Sequence, residues 1–251
     1  MAERKSSSPM APAFLVSAPG KVIVFGEHAA VHGRAAIAAA VSLRSYLLVN
    51  TLSKSRRTVR LNFSDIGLDH TWEITALPWE LFNDPARKRP YSAPATSLDP
   101  ILVAALAPYV GAVSPHLPQE LRRMHIGSAT SSLYLFLSLG SRHSLSVMYT
   151  LRSTIPAGAG LGSSASVCVC LSAALLPQSR VLSGPHPDQP LPEAKIQIDR
   201  VNAWAFVGEL CIHGDPSGVD NTVSTGGNAV IFKRNKSGPP TVAPLPNLEG
   251  G

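Results

Sequence analysis

The segment Pro156-Ala157-Gly158-Ala159-Gly160-Leu161-Gly162-Ser163-Ser164-Ala165 places three glycines and two serines directly before the apolar run Ala165 to Leu176. The run reads as a buried helix, so the glycines form the entry to a helix. Glycine lets backbone approach a ligand with no Cβ in the way, and a helix N-terminus offers unpaired N–H groups and a positive dipole end to an anion. A phosphate cradle is predicted here, with Ser163 or Ser164 as the helix cap. The alternative is a loop that only turns a strand into a helix. No Lys follows the last glycine as a Walker loop requires, and the Gly-x-Gly-x-x-Gly spacing is absent. A phosphate site at this position is therefore of another kind.

The flanking pattern alternates strands and helices, which supports an α/β class. Phe14 to Ala18 and Val22 to Phe25 read as two short strands around a break at Pro19-Gly20, and Val41 to Val49 alternates through Leu43, Leu47 and Val49. Val59, Leu61 and Phe63 repeat the alternation. Leu145 to Leu151 is a strand that leads through Ile155 into the glycine loop. Ile198, Val201, Ala205, Gly208 and Ile212 are spaced for one face of a second helix, which Gly214 is placed to end. Val230 to Phe232 reads as a further strand. Between Pro78 and Pro118 the recurring prolines are expected to interrupt regular structure, with a helical turn or two at Ile101 to Leu106.

The 251 residues are 45% hydrophobic and 15% charged, enough for a substantial core. The net charge of +6 is spread out. Arg56-Arg57 and Arg87-Lys88-Arg89 are short runs without interleaved aromatics, which argues against a nucleic-acid partner. Cys168, Cys170 and Cys211 match neither a metal nor a disulfide framework, so buried thiols in a reducing compartment are expected. Met1 to Pro12 is polar with no apolar signal core, and no segment approaches a membrane span. A cytoplasmic location without a membrane partner is the expectation.

Three ordered motifs carry a resemblance. The first runs Ala18-Pro19-Gly20-Lys21-Val22-Ile23 into Gly26-Glu27-His28-Ala29-Ala30-Val31-His32-Gly33, and the second is the glycine loop. The third runs from Trp204-Ala205-Phe206 through Gly208-Glu209 and Ile212-His213-Gly214 to Pro216-Ser217-Gly218-Val219-Asp220-Asn221. Together they resemble the GHMP small-molecule kinases, and within them the mevalonate kinase branch. Galactokinases continue Gly-Glu-His with Thr-Asp-Tyr, whereas Ala29-Ala30-Val31 follows here, which disfavours a sugar. His28 and His32, four apart, would share a helical face as zinc ligands, yet the Glu precedes the first His and the His-Glu-x-x-His pattern is not met.

The resemblance implies an α/β (α+β) fold: a GHMP kinase N-terminal domain over 13–235, with a mixed sheet of the ribosomal-protein kind and packed helices. A disordered extension is expected at 1–12, a poorly matched Pro-rich insert at about 78–118 and a Pro/Gly-rich tail at 236–251. It also implies ATP and Mg2+ as cofactors. ATP contacts are implied for Lys21, Ser153, Gly158, Ala159, Gly160, Leu161, Gly162, Ser163 and Ser164, and magnesium ligation for Ser164 and Glu209. Asp220 matches the base that takes the proton from the primary hydroxyl of mevalonate, and Lys21 is the cation beside it. Glu27 and His28 are implied as substrate contacts.

Structural alternatives exist for each of these residues. Ser164 would cap a helix, Glu209 would form a surface ion pair, Asp220 an Asx-type turn and Lys21 a strand-edge charge. Glu27 and His28 would be satisfied buried polar groups, and Ser153 an ordinary strand serine.

The family, often homodimeric, carries a second, ferredoxin-like domain with a glycine-rich motif of the Leu-Thr-Gly-Ala-Gly-Gly-Gly-Gly kind. No such motif occurs in these residues. The chain is thus expected to match the N-terminal portion. The activity implied is ATP-dependent phosphorylation of mevalonate to 5-phosphomevalonate, for isoprenoid and sterol synthesis. A GHMP kinase for another small alcohol and a catalytically incomplete nucleotide-binding fragment are the alternatives.

Overall fold

The computed structural model describes residues 12–30, 32–52, 56–90, 97–178, 190–233, 235 and 241–245. The expected N-terminal extension, except for its last residue, and most of the expected tail fall outside these. Within that tail, Thr241–Pro244 forms a strand, with Val242 packed against a small apolar cluster.

Seven strands form one mixed sheet: β1 (Phe14–Phe25), β2 (Ala35–Leu52), β3 (Thr58–Phe63), β4 (Leu68–Glu73), β5 (Ser146–Ser153), β6 (Ala229–Lys233) and β7 (Thr241–Pro244). The order is β4-β3-β5-β2-β6-β7, and β1 pairs with β2. Among the described residues, β3 and β5 run parallel and the other pairs are antiparallel. The length of β2 lets it serve two partners in turn. Ala35 to Ala39 pair with β6 and Ser45 to Leu52 with β5.

The two short strands expected around Pro19-Gly20 are one strand of 12 residues with a register shift between Pro19 and Lys21. Proline has no N–H for the ladder, and the irregularity absorbs that defect without ending the strand. It also frees the Lys21 N–H, which donates to Leu161 O at 2.9 Å. The break in the sequence pattern is thus the place where the glycine loop docks.

Alternation in the strands fixes which face is covered. Val59, Leu61 and Phe63 are buried, as are Leu47, Val49, Tyr149 and Leu151, while the residues between them are less so. Against that face lie α4 (Gln119–Leu139), α5 (Ser163–Gln178) and α6 (Leu191–His213). Leu133, Leu171, Leu175 and Trp204 join the strand residues in one core. A smaller cluster of Ala36, Ala38, Val219, Val223, Val230 and Phe232 seats the helix α7 (Val219–Gly226) on β2 and β6.

The Pro-rich stretch is more regular than expected. Beyond the single turn of α1 (Glu27–Ala30), the chain forms α2 (Trp79–Phe82) and a helix α3 (Pro100–Gly111) of 12 residues. Three of the prolines sit at helix starts. Pro78 and Pro118 occupy N-caps, and Pro100 follows Asp99, whose side chain accepts the Ile101 N–H at 2.8 Å. Pro108 alone lies inside α3, near its C-terminal end. No helix among the described residues is long and apolar enough to cross a membrane.

Candidate active site

Four consecutive residues of β1 gather the elements of the site. Ala18 O accepts from Ser166 Oγ of α5 at 2.7 Å, Pro19 O accepts from Ser224 Oγ of α7 at 2.6 Å, and the Lys21 N–H holds Leu161 of the loop. At Gly20 a Cβ would stand 2.7 Å from Leu161 O, so only glycine lets loop and strand meet. Lys21 is 7% exposed, and its side chain runs under the loop. Its Nζ donates to Gly160 O at 3.1 Å and lies 3.3 Å from Asp220 Oδ1.

The loop's own conformation follows from this docking. Gly158, Gly160 and Gly162 all have positive φ, and residues 156–160 are exposed. The carbonyls of Gly160 and Leu161 turn inward onto Lys21. The N–H groups of Gly160, Leu161 and Gly162 donate to no other described residue. Peptide N–H groups left without acceptors just ahead of α5, over a buried cation, suit an anion.

Asp220 lies in the first turn of α7, after Gly218 with φ 76. The neighbouring Asn221 donates its Nδ2 to Asn202 Oδ1 on α6 at 2.6 Å, and Thr222 Oγ1 donates to Gly218 O at 2.7 Å. The first of these bonds, with Asn202 Nδ2 donating to Thr222 Oγ1 at 3.3 Å, ties α7 to α6, while the second closes the turn of α7 that carries Asp220.

A second polar group lies on α5 and α6. Glu209 is 3% exposed. Burial pushes its carboxyl up to about 7, and the negative charge of Asp220 adds to the rise, while the Ser164 hydroxyl, the Cys168 thiol and Lys21 act the other way. The Cys168 Sγ donates to Glu209 Oε1 at 3.8 Å. On the other oxygen, His213 Nε2 stands 3.9 Å from Oε2 and 3.1 Å from Ser164 Oγ. Gly208 permits the close crossing of α5 and α6, since a Cβ there would lie 2.7 Å from Cys168 Sγ.

Lys21 thus touches both Asp220 and the glycine loop, and Ser164 and Glu209 lie in one cluster. Ser153 is engaged elsewhere: its Oγ pairs with Ser45 Oγ at 3.1 Å and accepts the Ile155 N–H, which turns β5 into the loop. Glu27 and His28 are exposed on α1 and make no hydrogen bond or ion pair among the described residues. His32 lies beyond the end of α1 at Ala30, so the two histidines do not share a helical face. Among the described residues, no three His, Cys, Asp or Glu side chains form a preformed metal cluster.

The supports Ser166, Ser224, Asn202 and Cys168 have no sequence signal, being small polar residues inside helices. His213 and Asn221 stand within the third motif without an assigned role.

Residues 130–228 match the family described as GHMP kinases N terminal domain. Mevalonate kinase erg12 of Aspergillus fumigatus is 68% identical over 98% of this chain and 46% of its own length. Mevalonate kinase of Methanococcus jannaschii superposes with a TM-score of 0.60 at 19% identity, over 95% of this chain and 57% of that one. That of L. major, solved in complex with R-mevalonate, gives 0.55 at 21%, over 97% and 55%. The chain spans about half the length of the curated relatives it matches. With parts of all three motifs meeting around one loop and a match this high to erg12, nearly the whole chain corresponds to about half of a mevalonate kinase, and residues 130–228 to the N-terminal domain of the GHMP kinases.

Proposed function

We propose that the chain carries the phosphate-binding and proton-accepting parts of an ATP-dependent mevalonate kinase, which forms 5-phosphomevalonate. The observation that carries this reading is the contact of Lys21 with both Gly160 O and Asp220 Oδ1. It joins the anion cradle to a carboxylate by one buried cation. Phosphoryl transfer asks a protein chiefly to position nucleophile and phosphate and to offset charge.

In this reading the N–H groups from Gly158 to Ser164 hold the nucleotide phosphates, with Ser153 at the entry to the loop. Asp220 takes the proton from the primary hydroxyl of mevalonate, since a neutral alcohol is a poor nucleophile. Lys21 holds Asp220 in place and offsets negative charge on the oxygen as it loses that proton. Glu27 and His28, exposed past the end of β1, are left to meet substrate.

Magnesium takes hard oxygen ligands, few of them from protein. The Ser164 hydroxyl and the buried Glu209 carboxyl supply such oxygens and fit the ion. When bound, magnesium would neutralise phosphate charge. A cytoplasmic location and a homodimer belong to the same reading.

The test is mevalonate-dependent ADP release from the purified protein and from Asp220→Asn. Loss of turnover with nucleotide binding retained is expected. Equal turnover in the variant would remove Asp220 from the reaction, and preferred phosphorylation of another alcohol in a substrate panel would reassign the substrate.

A further inference from the structure

His213 stands at the last turn of α6, half-exposed, and touches both residues assigned above to magnesium. Those two residues belong to different helices. Glu209 and His213 are four apart on α6 and therefore adjacent on its surface, whereas Ser164 comes from the start of α5. Ser164 Oγ lies at hydrogen-bond distance from the His213 ring nitrogen, at 3.1 Å.

A serine hydroxyl has one proton to donate and lone pairs to offer. Next to Glu209, the natural acceptor of that proton is the carboxylate, and the Ser164 hydroxyl does lower the Glu209 carboxyl in this way. A metal ion held by both groups would draw on the carboxylate and on a hydroxyl lone pair. The hydroxyl proton would then need another acceptor, or it would be left without a protein partner at a half-buried position. His213 Nε2, at 3.1 Å, can take it in the tautomer that carries its proton on Nδ1.

Resting on the assignment of Ser164 and Glu209 proposed above, we infer that His213 is a positioning residue for the metal-ligand pair. It accepts the Ser164 O–H and so keeps the hydroxyl lone pairs turned toward the oxygens of Glu209. Side chains that orient metal ligands from outside commonly change metal affinity by about 10–100-fold when removed.

The experiment uses Mn2+ as the probe, titrated into the purified protein saturated with a non-hydrolysable ATP analogue. Free Mn2+ is read by electron paramagnetic resonance. His213→Phe keeps a ring but offers no acceptor, and is expected to weaken Mn2+ binding by about tenfold or more. His213→Gln places an amide oxygen near the Nε2 position and should restore most of it. Thermal melting of both variants should match the parent, since the residue is half-exposed at a helix end.

Ser164→Ala separates the possible failures. If it weakens Mn2+ binding while His213→Phe does not, the inference falls and the metal assignment stands. If neither substitution has an effect, both fall. Weakening by His213→Phe without rescue by Gln would show that the ring's bulk matters and not its acceptor, and would also overturn the inference.

Discussion

A methyl group on Gly162 would stand 2.8 Å from Cγ of Lys21, so the last glycine of the loop and the buried lysine occupy adjoining space with nothing between them. The contact runs along the stem of the lysine, not its charged end. It explains how the Nζ is aimed: the stem is pressed against β1 by the loop, and the tip emerges between Gly160 O and Asp220.

Gly162→Ala should therefore do more than strain the backbone. Both Gly162 and Gly158 have positive φ, at 68° and 75°, which costs about 1–2 kcal/mol for an L side chain. At Gly158, however, a Cβ meets nothing within 4 Å. Urea denaturation of the two alanine variants should give a Gly158→Ala loss within that range and a larger one for Gly162→Ala, by about 1 kcal/mol or more for the clash. Equal losses would mean that the lysine stem yields freely.

Lys21→Met keeps much of the stem that packs on Gly162 and removes the ammonium. Stability should change little, because the fold keeps its packing at this point. Turnover should fall by about 100-fold or more, the scale seen when one preorganised charge partner is lost from an active site. Steady-state ADP release, with melting as the control, checks both statements.

The buried carboxyl of Glu209 makes stability depend on pH in a definite direction. Its pKa is raised from 4.5 to about 7 in the folded chain, mainly by burial. The folded state thus binds this proton more tightly than the unfolded state. The resulting stabilisation is complete below about 4.5 and is lost as pH rises toward 7. The span corresponds to about 3 kcal/mol. In EDTA, Glu209→Gln should leave the melting temperature at pH 4 nearly unchanged and raise it at pH 8. A variant with the parent's pH profile would mean that Glu209 does not titrate in this window.

Strands were legible where one face alternates, as at Val59, Leu61 and Phe63, because a half-buried strand must alternate. The helix α4 gave no such signal. Its buried residues include His125, Thr130, Ser131 and Ser132 together with Leu133 to Leu137, so the polar and apolar residues do not sort onto opposite faces. His125 is satisfied only by distant partners, Ser114 Oγ and Ile66 O, each at 2.8 Å. The helix α3 was hidden by its prolines, although Asp99-Pro100 is itself a helix-start signal.

At the site, the glycine loop stood out by composition, whereas Lys21, Glu209 and Asp220 could be singled out only through the three motifs taken together. Nothing in the residues themselves marks Ser166 or Ser224, whose roles exist only because the fold brings their hydroxyls to the carbonyls of Ala18 and Pro19, next to the register shift of β1.

Gly208→Ala sets two effects against each other. In a helix interior alanine is favoured over glycine by about 1 kcal/mol. Here the new methyl would meet Cys168 Sγ at 2.7 Å, Cys168 Cβ at 3.0 Å and Ser131 Oγ at 3.0 Å, all in the fully packed crossing of α4, α5 and α6. Overpacking of this kind costs about 1–3 kcal/mol. The single variant should be destabilised on balance, and Mn2+ binding should weaken because Cys168 is pushed toward Glu209 Oε1. Adding Cys168→Ala removes the nearest of the three atoms and leaves the other two. The double variant should then recover part of the loss, with a coupling of about 1 kcal/mol between the sites in a double-mutant cycle of urea denaturation. Strict additivity would show that α5 and α6 move apart to admit the methyl, and that Gly208 is not what sets their distance.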